Sequence, residues 1–318
     1  MNSLYNRTPI VQSLHGPKEC KIFLKLENTQ PSGSFKTRGI SYHCTKLKER
    51  GCKFFVSSSG GNAGLAVAYS GRVLNIPVCV FVPTTTPNHV IERLRTEGAE
   101  VKQKGDVWDE TNKHAIEFVE SLKDKNASLV HPFNHPEIWT AHSTIVSELK
   151  EQLIDKPSVI VLSVGGGGLL CGVVEGLQKV GWDDVPVIAC ETFGADSLNQ
   201  AMKNNKLTTL PAIKSIAKSL GALTVAQEAL DWTNKHKILP VQVTDQETIS
   251  ACYKYLNDFK SLVEPACGAS LTLMYSDILQ KLLEQGKLSN IDRVVIIVCG
   301  GHSLTIDNLL AWKKEFNV

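Results

Sequence analysis

The chain has 318 residues, 42% of them hydrophobic, with 34 basic residues against 32 acidic ones. That is enough for a large core in one or two domains, and the near-balance of charge argues against nucleic acid or an anionic membrane surface as a partner. Nine cysteines without a C-x-x-C pair argue against a disulfide framework or a cysteine zinc site, and with no run near the roughly 18 apolar residues of a membrane span, a cytoplasmic protein is expected.

Residues 22–27 read as a strand. They lead into Pro31-Ser32-Gly33-Ser34-Phe35-Lys36-Thr37-Arg38-Gly39 and then a helical pattern through Ile40, Cys44 and Leu47. Taken alone, Lys36 also reads as a surface lysine. At a strand–turn–helix junction, however, a desolvated amine loses charge and suits covalent chemistry. Residues 54–56, 78–82, 100–103 and 129–131 follow as strands, with helical patterns at 63–74, around Val90 and Leu94, at 109–122 and at 138–153. Between the first strand and helix of this set lies Ser57-Ser58-Ser59-Gly60-Gly61-Asn62-Ala63-Gly64. Small residues and unpaired helix-start amides there favour an anion, although an N-cap turn has the same composition.

The second half repeats the alternation. Strands are expected at 159–164, 185–190, 240–243 and 294–298, with a closing helix at 309–316. The first ends in Gly165-Gly166-Gly167-Gly168, a run that suggests backbone amides against a phosphate. It matches neither nucleotide fingerprint, because Leu170 stands where the dinucleotide motif needs glycine. The last strand ends in Cys299-Gly300-Gly301. Strands alternating with helices predict an α/β fold with parallel sheets covered on both faces. About ten strands are many for one open sheet, so two layers are expected. Pro132 and Pro136 interrupt any helix aligning His131 with His135, which argues against a metal site of His131, His135 and His142.

Five segments in order carry a resemblance: Pro31 to Gly39, Ser58 to Gly64, Ser163-Val164-Gly165-Gly166-Gly167-Gly168-Leu169-Leu170, Val263-Glu264-Pro265-Ala266-Cys267-Gly268-Ala269, and Val298-Cys299-Gly300-Gly301. Together they resemble the serine dehydratases and threonine deaminases of the β-family (fold type II) of pyridoxal-phosphate enzymes, over nearly the whole chain. The resemblance implies a tryptophan-synthase-β-like fold of two open, twisted, mostly parallel sheets. A large cofactor domain would comprise 1–42 and 133–318, and a small domain, 43–132, would carry the asparagine loop. It implies that Lys36 anchors the cofactor covalently and abstracts the substrate Cα proton. Phe35 would pack on the cofactor ring, Asn62 bond its hydroxyl, and Cys299 face its pyridine nitrogen. Gly165, Gly166, Gly167, Gly168 and Leu169 would hold its phosphate. Ser59, Gly60, Asn62 and Ala63 would hold the substrate carboxylate, with Ser59 also catalytic and Phe133 lining the pocket.

A potassium ion would sit among the carbonyls of Gly165, Ala195, Leu220 and Ala222. The implied activity converts L-serine to pyruvate and ammonia, and L-threonine to 2-oxobutanoate and ammonia. The protein would be a homodimer in amino-acid degradation and gluconeogenesis. Asn134, Ala141 and His302 depart from the family pattern and bear on catalytic efficiency. Serine racemase is the nearest alternative, but in racemases of this family a serine occupies the position of Gly60, which has no side chain. A non-catalytic binding protein on the same fold is the alternative from another class.

Overall fold

The computed structural model describes residues 3–17, 20–106, 108–122 and 126–318. Two short strands come first, β1 (Ile10–Gln12) and β2 (Lys21–Lys25), then helix α1 (Lys36–Glu49). Next come β3 (Phe54–Ser57), α2 (Asn62–Leu74), β4 (Val78–Val82), α3 (Asn88–Thr96), β5 (Glu100–Gln103), α4 (Trp108–Ser121) and β6 (Ala127–Leu129). α5 (Pro136–Gln152) leads to β7 (Val159–Ser163), α6 (Gly168–Val180), β8 (Val187–Thr192), α7 (Ser197–Asn204) and α8 (Gln227–Thr233). β9 (Ile238–Val243), α9 (Asp245–Phe259), α10 (Pro265–Tyr275), α11 (Ile278–Glu284), β10 (Arg293–Ile297) and α12 (Ile306–Glu315) complete the order.

The chain forms two compact units: the described residues up to Asn6 with Gln30–Ala141, and Arg7–Thr29 with His142–Val318. The first is wider than the 43–132 read from the resemblance. Ile40 and Cys44 of α1 share one apolar cluster with Leu65 and Ala68 of α2, and Ile138 of α5 belongs to it too. These contacts place α1 and the first turn of α5 with the smaller sheet.

Among the described residues ten strands form two sheets, as the strand count demanded. The first unit carries four in the order β5-β4-β3-β6, all parallel. The second carries six in the order β1-β2-β10-β7-β8-β9, parallel except for β1 against β2. β4 (VCVFV) and β7 (VIVLS) are buried at every position, as strands covered on both faces should be. The edge strand β5 keeps polar, partly exposed residues, and Pro240 is accommodated because β9 lies at an edge. β6 lies two positions earlier than the 129–131 expected. Val130 donates a last bond to the Val56 carbonyl at 2.8 Å, just ahead of Pro132.

The strand orders position the site. From β3 the chain adds β4 and β5 on one side and β6 on the other; from β7 it adds β8 and β9 on one side and β10 on the other. Where the order reverses, connections leave the carboxyl ends of neighbouring strands in opposite directions and open a crevice for ligands. The first reversal brings together the segments after β3 and β6, which contain Ser58 to Gly61 and His131 to Phe133. The second brings together those after β7 and β10, the glycine run and Cys299.

Lys25 anchors the second unit. It is fully buried on β2, and its ammonium donates to the Thr8 carbonyl at 2.8 Å, Glu148 Oε2 at 2.5 Å and Gln152 Oε1 at 2.8 Å. Removing one member of such a pair strands its partner's charge and costs about 3–5 kcal/mol, whereas replacing both with apolar groups is close to neutral. Lys25→Met should therefore lower the urea unfolding midpoint, and Lys25→Met with Glu148→Leu should recover most of the loss. A single variant as stable as the parent would contradict this account.

Candidate active site

Lys36 is the first residue of α1. A turn closed by Gly33 N–H to the Gln30 carbonyl at 2.7 Å precedes it. Ser32 and Thr37 hydroxyls meet at 2.6 Å, and Thr37 Oγ1 donates to the Ser34 carbonyl at 3.1 Å, so hydroxyls fix both sides of the lysine's backbone. Its Nζ donates to the Pro132 carbonyl at 2.6 Å and lies 5.2 and 5.9 Å from the ring centroids of Phe35 and Phe133. The two aromatic rings and the carbonyl position the amine at the start of α1. Desolvation, reinforced by the Lys36 charge, pushes the neighbouring His131 down to about 4. A neutral His131 ring then organises the turn: its Nδ1 accepts from the amides of Phe133 at 3.3 Å and Asn134 at 2.9 Å. Trp139 Nε1 donates to the Phe133 carbonyl at 2.8 Å. The buried Ser34 hydroxyl has no hydrogen-bond partner among the described residues.

The loop after β3 stands at the same sheet reversal. Ser58 Oγ donates to Asn112 Oδ1 at 2.7 Å, and Ser59 N–H to Ser57 Oγ at 3.3 Å, which holds the loop at both ends. Asn62 opens α2, and the helical bonding begins with Leu65 N–H to the Gly61 carbonyl at 3.0 Å. The amides of Asn62 and Ala63 therefore have no intrahelical acceptor and suit an anion. Gly60 is required by close approach: a Cβ there would lie 2.8 Å from Val82 Cγ1. The first unit thus brings Lys36, Phe35, Phe133, Ser59, Gly60, Asn62 and Ala63 onto segments bordering one crevice.

In the second unit, Gly165 to Gly167 link β7 to α6, which begins at Gly168. Gly167 adopts φ +87°, and a Cβ would lie 2.6 Å from Ala229 Cβ, so only glycine serves there. The first intrahelical acceptor is used by Cys171 N–H, bonded to the Gly167 carbonyl at 2.9 Å. The amides of Gly168, Leu169 and Leu170 start the helix without helical partners. At the end of β10, the Cys299 thiol is pushed well up by its hydrogen bond with Cys267 and by burial. It stays a neutral thiol at physiological pH. Beneath this segment the buried Glu264 accepts from Ser303 N–H at 2.7 Å, Ser303 Oγ at 2.6 Å and Ser219 Oγ at 2.5 Å. His302 points away from such burial and is exposed.

Sequence reasoning missed Glu191. The strand was expected to end at Cys190, but β8 continues through Glu191 and Thr192. The carboxylate is buried and accepts from the amides of Leu198 at 2.9 Å and Asn199 at 2.8 Å. Burial still pushes its pKa up to about 8. Ser197 Oγ and Asn199 Nδ2, close by in sequence, have no hydrogen-bond partner among the described residues. Ala195, Leu220 (the last residue of a 3-10 turn, Lys218–Leu220) and Ala222 lie in this same unit. An acidic residue inside an apolar strand was the available signal. The three histidines of 131–142 do not form a metal cluster among the described residues.

A family model described as "Pyridoxal-phosphate dependent enzyme" matches residues 1–300. The chain is 49% identical over 320 residues to the L-serine dehydratase/L-threonine deaminase of Bos taurus, covering 99% of this chain and 97% of that protein. Among solved structures, a fungal L-serine ammonia-lyase from Rhizomucor miehei superposes with a TM-score of 0.91 at 37% identity, covering 99% of this chain and 100% of that one. Maize serine racemase superposes with a TM-score of 0.85 at 24% identity, covering 98% and 92% of the two chains, a likeness of fold alone. The expected two-sheet α/β fold is borne out by these neighbours.

Proposed function

The chain belongs to the pyridoxal-phosphate dependent enzymes, and from that premise we propose that it eliminates water from L-serine and L-threonine, releasing ammonia with pyruvate or 2-oxobutanoate. The observation that carries the reading is the Lys36 amine, held at 2.6 Å by a neutral carbonyl between two aromatic rings at a sheet reversal. Near-full-length identity to a protein named for both substrates supports the choice of serine and threonine.

The residues present fit the cofactor. The orphaned Ser34 hydroxyl supplies a hydrogen-bonding group beside the lysine. The amides of Gly168 and Leu169, with the loop of Gly165, Gly166 and Gly167, suit a phosphate dianion at a helix start. Phe35 offers a ring face, Asn62 a side-chain donor, and Cys299 a neutral thiol for a pyridine nitrogen. Bound pyridoxal phosphate supplies an electron sink conjugated to the substrate's Cα. Lys36 would hold it covalently, and the Lys36 amine would serve as the base for the substrate's Cα proton as the β-hydroxyl is lost. The Ser59 hydroxyl and the amides of Gly60 and Ala63, with Asn62, orient the substrate carboxylate, and Phe133 walls the pocket. With no side chain at Gly60 to exchange a proton on the opposite face, elimination is favoured over racemisation.

A potassium ion among the carbonyls of Gly165, Ala195, Leu220 and Ala222 belongs to the same proposal. The buried Glu191 carboxylate and the unpartnered Ser197 hydroxyl support a cation in this region. The homodimer, the cytoplasmic location and the role in amino-acid degradation and gluconeogenesis rest on family resemblance.

Keto-acid release from L-serine and L-threonine, with chiral analysis of the remaining serine, tests the reaction. The wild type should form pyruvate and 2-oxobutanoate with little D-serine, and Lys36→Ala should lose the activity by at least about 10³-fold. Rapid D-serine formation would favour a racemase, and no turnover in cofactor-loaded protein a binding module. The cation has its own pH signature. Glu191 titrates near 4.5 when unfolded and near 8 when folded, so stability falls as pH rises through that window. A cation beside the ionised carboxylate offsets this loss. Potassium chloride should therefore raise Tm over choline chloride more at about pH 8.5 than at about pH 6. Equal gains at both pH values would contradict a cation bound there.

A further inference from the structure

The chain holds one group of potential metal ligands that the catalytic reading does not use. Among the described residues, His43, His135 and Glu137 place one ligand atom each within 4.8 Å of the others. His43 lies on α1, His135 just before α5, and Glu137 in the first turn of α5. His43 Nδ1 is 2.7 Å from Glu137 Oε2, and His135 Nδ1 is 3.9 Å from the same oxygen. The two imidazole centroids are 4.1 Å apart.

We propose that His43, His135 and Glu137 bind a divalent transition ion of the zinc class, and that its occupancy clamps the turn holding Lys36. Two imidazoles and a carboxylate are ligands that zinc accepts readily, and that magnesium and calcium, which prefer oxygen, do not. Bonds of about 2.0–2.1 Å in a tetrahedral site separate ligand atoms by about 3.3 Å. The separations of 2.7 and 3.9 Å from Glu137 Oε2 bracket that spacing, and the two imidazole ligand atoms lie within 4.8 Å of each other. The His135 side chain is 35% exposed and has room to close the longer one, giving up its 3.2 Å bond from the Glu137 amide. Three protein ligands leave the fourth position to water.

Arg50 shapes the carboxylate. Its guanidinium pairs with Glu137 Oε1, which leaves Oε2 to the two rings. The same positive charge opposes a bound cation, so the site binds more weakly than a closed structural zinc site. Nothing here depends on proline-interrupted helix alignment. His43 comes from α1 and joins His135 across the turn, which is why spacing within 131–142 did not reveal the group.

The position couples the ion to the lysine. His43 lies two helical turns beyond Lys36 on the same face of α1. The turn that supplies His135 and Glu137 also supplies the Pro132 carbonyl and Phe133. An ion would add His135 to the ties between α1 and this turn, alongside the 2.6 Å contact of Lys36 with Pro132 and the 2.7 Å contact of His43 with Glu137. Movement of the turn away from Lys36 would then be restrained, and turnover slowed. The metal site stands apart from the proposed function; only the effect on turnover rests on that reading.

The test is calorimetric titration of chelator-treated holoenzyme with zinc chloride, alongside His135→Ala, Glu137→Gln and Cys20→Ser variants. The expected result is one Zn²⁺ per chain, weakened by more than about tenfold in the first two variants and unchanged in the third. No binding, or equal binding in the His135 and Glu137 variants, would overturn the site. Keto-acid release at saturating Zn²⁺ should fall in the wild type and stay constant in His135→Ala. Zinc bound at these residues with no change in turnover would overturn the clamp. Absence of any keto-acid activity would instead count against the elimination reading and leave the calorimetric result intact.

Discussion

The reversal of strand order at β3/β6 and at β7/β10 is the constraint on which the rest depends. Parallel strands place all their carboxyl ends on one edge. Only at a reversal do two adjacent connections diverge, leaving backbone amides and side chains free of covering structure. Each unit has one such place, and the segments leaving it are the ones carrying unusual sequence: serine and glycine after β3, a Pro-Phe turn after β6, four glycines after β7, and Cys-Gly-Gly after β10.

Chemistry at these places follows from what surrounds each polar group. The Lys36 amine is met by a neutral carbonyl and aromatic faces, and the neighbouring His131 is neutral, so the amine is held in place while its reactivity stays available. The Cys299 thiol is kept protonated by Cys267 and burial, with the buried Glu264 carboxylate adding to the effect. Glu264 itself is taken up by Ser303 and Ser219. Such an arrangement suits a hydrogen bond to a ring nitrogen without a full negative charge beside it.

Local sequence carried most of this. The loops at Lys36, Asn62, Gly165 and Cys299 stand out in the sequence because each follows a strand-like run and carries small or glycine residues. β1 was not legible: it has three residues, none buried, and pairs only with β2. Glu191 was hidden because its strand was read as purely apolar, and tertiary burial rather than pattern defines its role. The His43–Glu137 contact joins residues 94 positions apart and leaves no periodic trace. Ile138 likewise joins the α1–α2 cluster through packing that composition does not signal.

The central claim is that Lys36, among all the lysines of the chain, bonds the cofactor. Borohydride reduction of the holoenzyme, followed by proteolysis and mass analysis of the peptides, tests it most directly. The account predicts a phosphopyridoxyl group on the peptide containing Lys36 and on no other. The same label on a different lysine, or none in protein that binds the cofactor, would contradict it.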